Sequence, residues 1–294
     1  MKQAVGSSYG SFQSGSGAKI FYRCWVPAES RAVLLLVHGL AEHSGRYSEF
    51  ANFLVDAGIA TVALDLPGHG RSDGQRSHVR DFQDYTNALG ALLSLARQVH
   101  PDIPFVLFGH SMGGLIAADF LLQHQDEFVA AVLTGPAIQA PQQPSNAVLL
   151  INRIIAAIAP RFGVMQLDAA GVSRDPQVIS DYENDPLVYR GKATAGLVTA
   201  LFSAMSRVVA NAESIRLPIL IMHGRVDSLT AVEGSELLHD KVSSEDKQLV
   251  IYDGLYHEIL HEPERKIVMA DILRWLDSRI NRRSSLSNIL FSAT

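Results

Sequence analysis

The chain has 294 residues, 47% of them hydrophobic and 19% charged, which is enough apolar material for one large domain or two ordinary ones. Its net charge of −5 gives no reason to expect a nucleic acid or an anionic membrane as a partner. The single cysteine, Cys24, excludes an intrachain disulfide and a zinc site built from several thiolates. We interpret Cys24 as a small buried hydrophobic residue.

Residues 1–16 contain no apolar stretch of the kind that a secretory signal requires. The longest apolar run, VLLINRIIAAIA, is interrupted by Asn152 and Arg153 and is too short to span a bilayer. We therefore expect a soluble, cytoplasmic protein. Residues 1–16 and 283–294 lack hydrophobic periodicity, and we expect both ends to be mobile.

Short β-rich runs alternate with longer helical patterns along most of the chain. Strands are predicted at 19–26, 32–39, 60–66, 105–110, 130–135, 219–224 and 248–254. Several of these runs are almost continuously apolar, as parallel strands are when both faces of the sheet are covered. Helical patterns occupy the intervening segments, for example 81–99 and 112–124. The alternation predicts an α/β fold with a mostly parallel central sheet flanked by helices.

One long segment interrupts this alternation. Roughly 80 residues without a clear strand separate Gly135 from Ile219, and a connection of that length is expected to have structure of its own. It contains two strongly apolar helical patterns, at 146–162 and 194–212. The segment is therefore predicted to be an inserted helical cap. The predicted core therefore has two parts, residues 1–135 and 213–282. The cap, residues 136–212, separates them, and a tail of residues 283–294 follows.

The sequence Gly109-His110-Ser111-Met112-Gly113 fits the pattern G-x-S-x-G. It follows an apolar strand directly and precedes a helical pattern directly, which is the context that a nucleophile elbow requires. Ser111 would then lie on a strained strand-to-helix turn, at a helix N-terminus whose dipole favours developing negative charge. Ser111 is the candidate nucleophile.

A serine hydroxyl needs a base that takes its proton and a carboxylate that orients this base. In a hydrolase of this architecture the order is serine, acid, histidine, with the last two after later strands. Asp227 follows the predicted strand 219–224, and His257 follows 248–254. The order and the spacing predict Asp227 as the acid and His257 as the base.

Two neighbouring residues offer alternatives to this assignment. Asp253 also lies near a strand end, but it precedes Gly254 and more readily shapes the turn before His257. His110 lies inside the elbow, where we expect it to pack or to form hydrogen bonds beneath the turn.

An oxyanion hole needs two preorganised N–H groups that point at the developing charge. The amide of Met112, directly after the nucleophile, is one candidate. The other is expected in the loop after the strand 32–39, where His38 and Gly39 allow a tight turn and Leu40 follows. Leu40 and Met112 are therefore the predicted oxyanion donors.

Residues 257–261, HEILH, match the zinc-peptidase pattern H-E-x-x-H. That pattern binds zinc only within a helix, where both histidines lie on one face. Pro263 follows closely and favours the first turn of a helix, so we predict a final helix over 263–280. Both histidines would then lie in the preceding loop. The sequence favours His257 as a hydrolase base and His261 as a structural histidine, with no metal and no cofactor.

The chain resembles the monoacylglycerol lipase and lysophospholipase group of α/β-hydrolases over nearly its whole length. The matching segments are HGLAEHSGRY (38–47), DLPGHGRSDGQR (65–76), GHSMGGL (109–115), NDPLVYRG (184–191), HGRVDSLT (223–230) and GLYHE (254–258). EHSGRY and NDPL are more specific than the elbow, which many serine hydrolases share. The resemblance implies the α/β-hydrolase fold and a mobile apolar cap that admits single-chain lipids.

The resemblance also implies Ser111, Asp227 and His257 as a catalytic triad, with Leu40 and Met112 as oxyanion donors. Proteins of this group commonly have glycine beside the oxyanion residue, where this chain has Ala41. This departure concerns the fine geometry of the loop.

These observations predict a serine carboxylester hydrolase that acts on monoacylglycerols or similar single-acyl lipid esters. The alternatives are a broad carboxylesterase for short or aromatic esters, a lysophospholipase, and a non-catalytic α/β-hydrolase that binds a ligand. Apolar cap residues such as Ile154 and Ile158 are expected to pack the cap onto the core, to line an acyl tunnel, or to touch a lipid aggregate or membrane surface transiently.

Overall fold

The structure is a computed structural model that describes residues 6–15 and 17–291. Predictions that concern residues 1–5, 16 and 292–294 lie outside these residues.

Within the described ranges, eight strands form one sheet and two short strands form a second. The strands are β1 (Gly6–Gln13), β2 (Lys19–Val26), β3 (Ala32–Val37), β4 (Ile59–Leu64), β5 (Phe105–His110), β6 (Ala130–Thr134), β7 (Gly163–Met165), β8 (Ala193–Thr194), β9 (Ile219–Gly224) and β10 (Lys247–Tyr252).

The large sheet has the order β1-β2-β4-β3-β5-β6-β9-β10. The β1–β2 and β2–β4 pairs are antiparallel, and the pairs from β4 to β10 are parallel. The carboxyl ends of β3, β5, β6, β9 and β10 therefore meet at one edge of the sheet, where ligands bind in open α/β folds. The predicted mostly parallel sheet flanked by helices is confirmed.

Eight α-helices accompany the sheets in the part of the chain that the structure describes. They are α1 (Ser48–Asp56), α2 (Gln83–Val99), α3 (Met112–His124), α4 (Asn146–Ile158), α5 (Pro176–Asn184), α6 (Ala195–Asn211), α7 (Val232–Lys241) and α8 (Arg265–Phe291). The helices predicted at 81–99, 112–124, 146–162 and 194–212 correspond to α2, α3, α4 and α6.

Both faces of the large sheet are covered. Along β3, residues Val33, Leu35 and Val37 belong to one hydrophobic core. The alternate residues Ala32, Leu34 and Leu36 belong to a second core on the other face. Successive side chains of a strand point to opposite faces, so a strand covered on both faces reads as a continuous apolar run. This is the pattern from which the sequence predicted the parallel strands.

Regular secondary structure extends into both ends of the chain, where the sequence showed no hydrophobic periodicity. Residues 6–13 form β1, which pairs with β2 over its whole length. Its aromatic residues Tyr9 and Phe12 lie against Phe21 and Tyr22 of β2. At the other end, the backbone of residues 283–291 continues α8. Sequence periodicity missed both segments because pairing with a neighbour and propagation of an existing helix need no periodic apolar pattern.

The segment between β6 and β9 contains α4, α5 and α6 together with the antiparallel pair of β7 and β8. The two short strands were not predicted. Helix α6 packs against both α3 and α4, so this insertion lies on the helix that follows the nucleophile elbow.

One helical segment in the described part of the chain, Ala195–Ser214, is long and apolar enough to cross a membrane by length and composition. Half of it is buried inside the protein. Its packing between α3 and α4 is that of a core helix in a globular fold.

Candidate active site

Ser111 lies at the turn between β5 and α3. Its backbone has φ of 56° and ψ of −121°, a left-handed conformation that residues with a side chain rarely adopt. Backbone strain of this kind persists only where the surrounding structure imposes it, and it clusters at functional sites. The predicted strand–serine–helix elbow is therefore present in the structure.

The glycines of G-x-S-x-G allow the close packing that imposes this turn. A Cβ atom on Gly113 would lie 2.2 Å from the carbonyl oxygen of Val37 in β3. A Cβ atom on Gly109 would lie 2.4 Å from the carbonyl oxygen of Gly113. Both distances are too short for any larger residue without a shift of the backbone. The two glycines therefore hold the start of α3 against the sheet.

Asp227 and His257 form a buried pair in the loops after β9 and β10. Nδ1 of His257 lies 2.6 Å from Oδ2 of Asp227, and neither side chain is appreciably exposed. Oδ1 of Asp227 accepts hydrogen bonds from the backbone amides of Leu229 and Thr230, at 2.7 and 2.9 Å. These bonds fix the carboxylate so that Oδ2 faces the imidazole.

The electrostatics of the pair agree with this geometry. Burial opposes ionisation of Asp227, but the charge of His257 and hydrogen bonds from His223 and His257 hold the pKa of Asp227 below its usual range. Burial likewise opposes protonation of His257, but the charge and hydrogen bond of Asp227 outweigh it and raise the pKa of His257. The pair is therefore suited to stabilising an imidazolium that forms during a reaction.

The predicted oxyanion residues lie in the same cavity as Ser111 and His257. Leu40 and Met112 both line it. The loop that carries Leu40 is held in place from two sides, because the Gly39 amide donates to Oε1 of Glu42 at 2.6 Å and the Tyr189 amide donates to the carbonyl oxygen of Ala41 at 2.8 Å. Ala41 has φ of 68°, in the left-handed region that favours glycine.

The cavity has a volume of about 140 Å³ and is mainly apolar on the side of the insertion. The apolar lining comes from α6, from the segment before α5 and from the loop after β9: Leu167, Val172, Val198, Leu201, Phe202, Met205 and Leu229. Polar groups cluster at the end near the elbow, where Glu42, Tyr182, Thr230 and Glu258 reach the cavity. The arrangement offers an apolar space beside Ser111.

A buried charge cluster at the polar end was missed by the sequence reasoning. Arg46 donates to Oε2 of Glu42 at 2.8 Å and to both oxygens of Glu258 at 2.5 and 2.7 Å. Burial raises the pKa of Glu42, but the charge of Arg46 outweighs this effect and lowers it to about 2. The EHSGRY segment was a signal for such a role, but nothing in it indicated Glu258 as the partner.

The loop at 257–261 does not have zinc-peptidase geometry. None of its residues is helical, and α8 begins only at Arg265, two residues after the predicted start at Pro263. His257 faces Asp227, while His261 lies 3.1 Å from Glu258 and its Nε2 lies 3.0 Å from the carbonyl oxygen of Arg46. The two imidazoles have separate partners, and the helical face that H-E-x-x-H requires is absent from this described loop.

Neither alternative residue takes the place of Asp227 or His257. Asp253 is exposed and forms an ion pair with Arg225. His110 is buried beneath the elbow, with Nδ1 3.0 Å from the carbonyl oxygen of Thr134. Its ring lies 4.7 Å from that of His257, at an angle of 49°. Burial and then the charge of His257 lower the pKa of His110 to about 4. The packing and hydrogen-bonding role predicted for His110 is confirmed.

The exposed apolar residues of α4 contradict the expectation that they line a tunnel or pack on the core. Ile154 is 51% exposed and Ile158 is 80% exposed. Leu150 and Ile151 are exposed as well. The cavity is lined instead by α6, whose residues Leu201, Phe202 and Met205 face it.

A mostly parallel sheet, a serine on a strained elbow after β5, and an Asp–His pair after β9 and β10 define an α/β-hydrolase. Residues 28–264 match the family described as serine aminopeptidase S33. The chain belongs to this family of α/β-hydrolases.

Relatives of the chain include several monoacylglycerol lipases. The monoacylglycerol lipase of Mycolicibacterium smegmatis is 40% identical over 271 residues, which are 92% of this chain and 97% of that protein. The monoglyceride lipase of Homo sapiens is 31% identical over 90% of this chain and 89% of that protein. The solved structure of the Paleococcus ferrophilus monoacylglycerol lipase superposes with a TM-score of 0.79, at 28% identity, and covers 93% of this chain and 99% of that one. The resemblance inferred from sequence segments is confirmed.

Proposed function

We propose that this protein is a serine ester hydrolase that cleaves monoacylglycerols or similar single-acyl lipid esters. In this proposal Ser111 is the nucleophile, His257 is the base and Asp227 orients the base. The observation that carries the proposal is the buried pair of His257 and Asp227 at the cavity that Ser111 lines. The similarity to monoacylglycerol lipases supports the choice of substrate. This chemistry uses only groups of the protein itself and needs no cofactor.

The reaction follows from the tautomer that Asp227 imposes. The carboxylate of Asp227 accepts a hydrogen bond from the N–H group at Nδ1 of His257. The neutral imidazole therefore has its free lone pair on Nε2. Nε2 takes the Ser111 proton as Oγ attacks the ester carbonyl carbon. The carbonyl oxygen becomes an oxyanion, which the amides of Leu40 and Met112 stabilise. His257 then gives the proton to the leaving alcohol oxygen, and the acyl group stays on Ser111.

Deacylation repeats these steps with water as the nucleophile. His257 takes a proton from water, the resulting hydroxide attacks the acyl carbonyl, and the proton returns to Ser111 as the fatty acid leaves.

The lining of the cavity favours a neutral head group. Among the described residues that line it, none is a lysine or an arginine, while Glu42 and Glu258 both reach it. Arg46 already pairs with both carboxylates, so no cation of the lining is left to bind a phosphate head group, whereas glycerol hydroxyls can donate to the carboxylates. The apolar walls of Leu201, Phe202 and Met205 suit a single acyl chain. These features favour a monoacylglycerol over a lysophospholipid.

We assign residues 136–212 to a cap that covers the active site, with residues 1–135 and 213–282 as the core. The exposed apolar residues of α4 are then placed to touch a lipid aggregate or membrane surface transiently, as substrate is collected. Ile154→Ser and Ile158→Ser should lower the rate on aggregated long-chain substrate and leave the rate on a dissolved short-chain ester unchanged. Variants with wild-type rates on both substrates would contradict this role of α4. A cytoplasmic location is part of the same proposal.

The nucleophile is tested with Ser111→Ala and a fluorophosphonate probe. The variant should fold normally, lose all probe labelling and lower kcat by roughly 10⁶-fold. Ser94→Ala, which removes an exposed hydroxyl on α2, is the matched control and should behave as wild type. Retention of a tenth of the activity by Ser111→Ala would refute the assignment. A wild-type protein that neither labels nor hydrolyses any ester would be a non-catalytic binding protein.

The substrate class is tested with a hydrolysis panel. Monoacylglycerols should be cleaved faster than triacylglycerols, lysophosphatidylcholine, short aromatic esters and an amino-acid anilide. The anilide is included because the family is described as a serine aminopeptidase. It should be a poor substrate because Arg46 already neutralises the acidic residues that would bind a free amine. Faster cleavage of any other class would replace monoacylglycerol as the proposed substrate.

A further inference from the structure

The carboxylate of Asp227 binds a second histidine besides His257. Nε2 of His223, at the end of β9, lies 2.9 Å from Oδ2 of Asp227, the same oxygen that faces His257. His223 and Asp227 are both fully buried. The hydroxyl of Thr230 also donates to this oxygen, at 2.8 Å. Oδ2 is therefore shared between the imidazole that takes part in the reaction and groups that do not.

The contacts of His223 define its tautomer. A carboxylate oxygen only accepts hydrogen bonds, so Nε2 of His223 must carry a proton and donate it to Asp227. Nδ1 lies 2.7 Å from Oγ of Ser235, a buried residue of α7. In the neutral imidazole Nδ1 is an acceptor, and the Ser235 hydroxyl donates to it. Ser235, His223, Asp227 and His257 thus form a continuous buried chain of hydrogen bonds.

We propose that His223 is a positioning residue for the hydrolytic reaction, which it serves by holding the carboxylate of Asp227 toward His257. This proposal rests on the triad proposed above. His223 does not line the substrate cavity among the residues described for it, so it acts on the reaction through Asp227 and not through the substrate. Ser235 in turn holds His223.

The proposal predicts a loss in kcat without a change in KM. Removal of the His223 donor leaves Asp227 less well oriented, and a hydrogen bond to a charged group contributes enough to change kcat by about tenfold to a hundredfold. The substrate cavity is unchanged, so KM should stay as in wild type.

The proposal also predicts a shift in the pH profile. Without the N–H of His223, more of the negative charge on Asp227 acts on His257, so His257 should become more basic. Since the base must be neutral, the acid limb of kcat/KM should move to higher pH by about half a unit or more. The other ionisable groups around His257 stay in place in these variants, and they are Glu42, Glu258 and His110.

Variants of the two outer residues test the proposal. His223→Leu removes both hydrogen bonds of the imidazole. His223→Gln keeps an N–H that can donate to Asp227 and a carbonyl oxygen that can accept from Ser235, so it should restore most of kcat and the wild-type acid limb. Ser235→Ala weakens the hold on His223 and should shift kcat and the acid limb in the same direction as His223→Leu, by less. Thermal unfolding of each variant reports on folding.

The outcomes separate a positioning role from a structural one. A folded His223→Leu variant with unchanged kcat and acid limb would overturn the proposal, and so would equal losses in His223→Leu and His223→Gln. If His223→Leu does not fold, the test rests on Ser235→Ala. A Ser235→Ala variant with the kcat and pH profile of wild type would then overturn the proposal. The labelling rate of Ser111 by a fluorophosphonate is measured in parallel. It reports on the triad even if monoacylglycerol is not the substrate, so failure of the proposed substrate is distinguishable from failure of the role of His223.

Discussion

Replacing Asp227 by asparagine should leave the fold intact and remove most of the activity. Oδ1 of Asp227 accepts from the amides of Leu229 and Thr230 at 2.7 and 2.9 Å. Both amides stay satisfied only if the asparagine carbonyl oxygen takes the place of Oδ1. The amide nitrogen then takes the place of Oδ2 and points an N–H group at Nδ1 of His257, 2.6 Å from that position.

His257 must then accept at Nδ1, so its proton moves to Nε2, which faces the nucleophile. In this tautomer the imidazole cannot take the proton of Ser111. The corresponding replacement in a serine protease triad lowers kcat about 10⁴-fold, or about 5 kcal/mol, and we expect a loss of this size. Stability should change less, because the hydroxyl of Thr230 can donate to the carbonyl oxygen of Gly135, 3.1 Å away, and a neutral His223 can carry its proton on Nδ1 and accept at Nε2.

The assay is kcat for a medium-chain monoacylglycerol, with thermal unfolding measured on the same preparations. Asp253→Asn is the matched control, because Asp253 is the other carboxylate near a strand end and forms only an exposed ion pair. It should keep wild-type activity. The proposed role of Asp227 is refuted if folded Asp227→Asn has a kcat within tenfold of wild type, or if Asp253→Asn loses as much activity.

Four further predictions concern the two histidines of HEILH, the pH dependence of the activity, the oxyanion loop and the cavity wall. His257→Ala should be almost inactive, whereas His261→Ala should keep a substantial part of the activity, and added zinc should restore neither variant. Because Asp227 raises the pKa of His257 and the base must be neutral, kcat/KM should fall with decreasing pH through a midpoint above about 6.5, and a midpoint below that value would contradict the pairing. Ala41→Gly should raise the free energy of unfolding in urea by up to about 1 kcal/mol, because it removes a side chain from a residue with φ of 68°, and a decrease would show that the loop is not strained. Phe202→Ala should extend the rise of kcat/KM with acyl chain length, by about fourfold per added methylene, whereas Ile158→Ala, at an 80% exposed position, should leave the plateau unchanged. Identical plateaus in both variants would exclude Phe202 from the acyl site.

The order of the proposed catalytic residues could be predicted from the sequence because each follows a predicted strand of the parallel sheet. Continuous apolar runs predicted the strands, and the carboxyl ends of parallel strands meet at one edge of a sheet. The serine after β5, Asp227 after β9 and His257 after β10 therefore had to come close together. The pattern G-x-S-x-G added the local geometry, since only glycine fits at Gly109 and Gly113.

Hydrophobic patterns in the sequence gave wrong or missing predictions where contact with another helix or strand determines the structure of a segment. The apolar residues of α4 satisfy the pattern of a packed helix, yet the structure leaves Ile154 and Ile158 exposed, because α6 occupies the position over α3 and the cavity. The strand β1 has little apolar periodicity of its own and is formed by pairing with β2. Periodicity predicts that a segment has an apolar face, but the tertiary structure decides what covers that face.

The polar surroundings of the active site were decided by the tertiary structure for a related reason. Arg46 and Glu258 are separated by 212 positions in the chain, and they meet because their loops follow strands at the same edge of the sheet. His223 stands only four residues before Asp227, but its hydrogen bond to that carboxylate depends on the turn after β9 and on Ser235 of α7. The sequence determined the candidate nucleophile, acid and base, since each has a local signal of residue type and strand position. Partners that lie far apart in the chain have no such signal, because only the packed fold brings a buried charge to the group that compensates it.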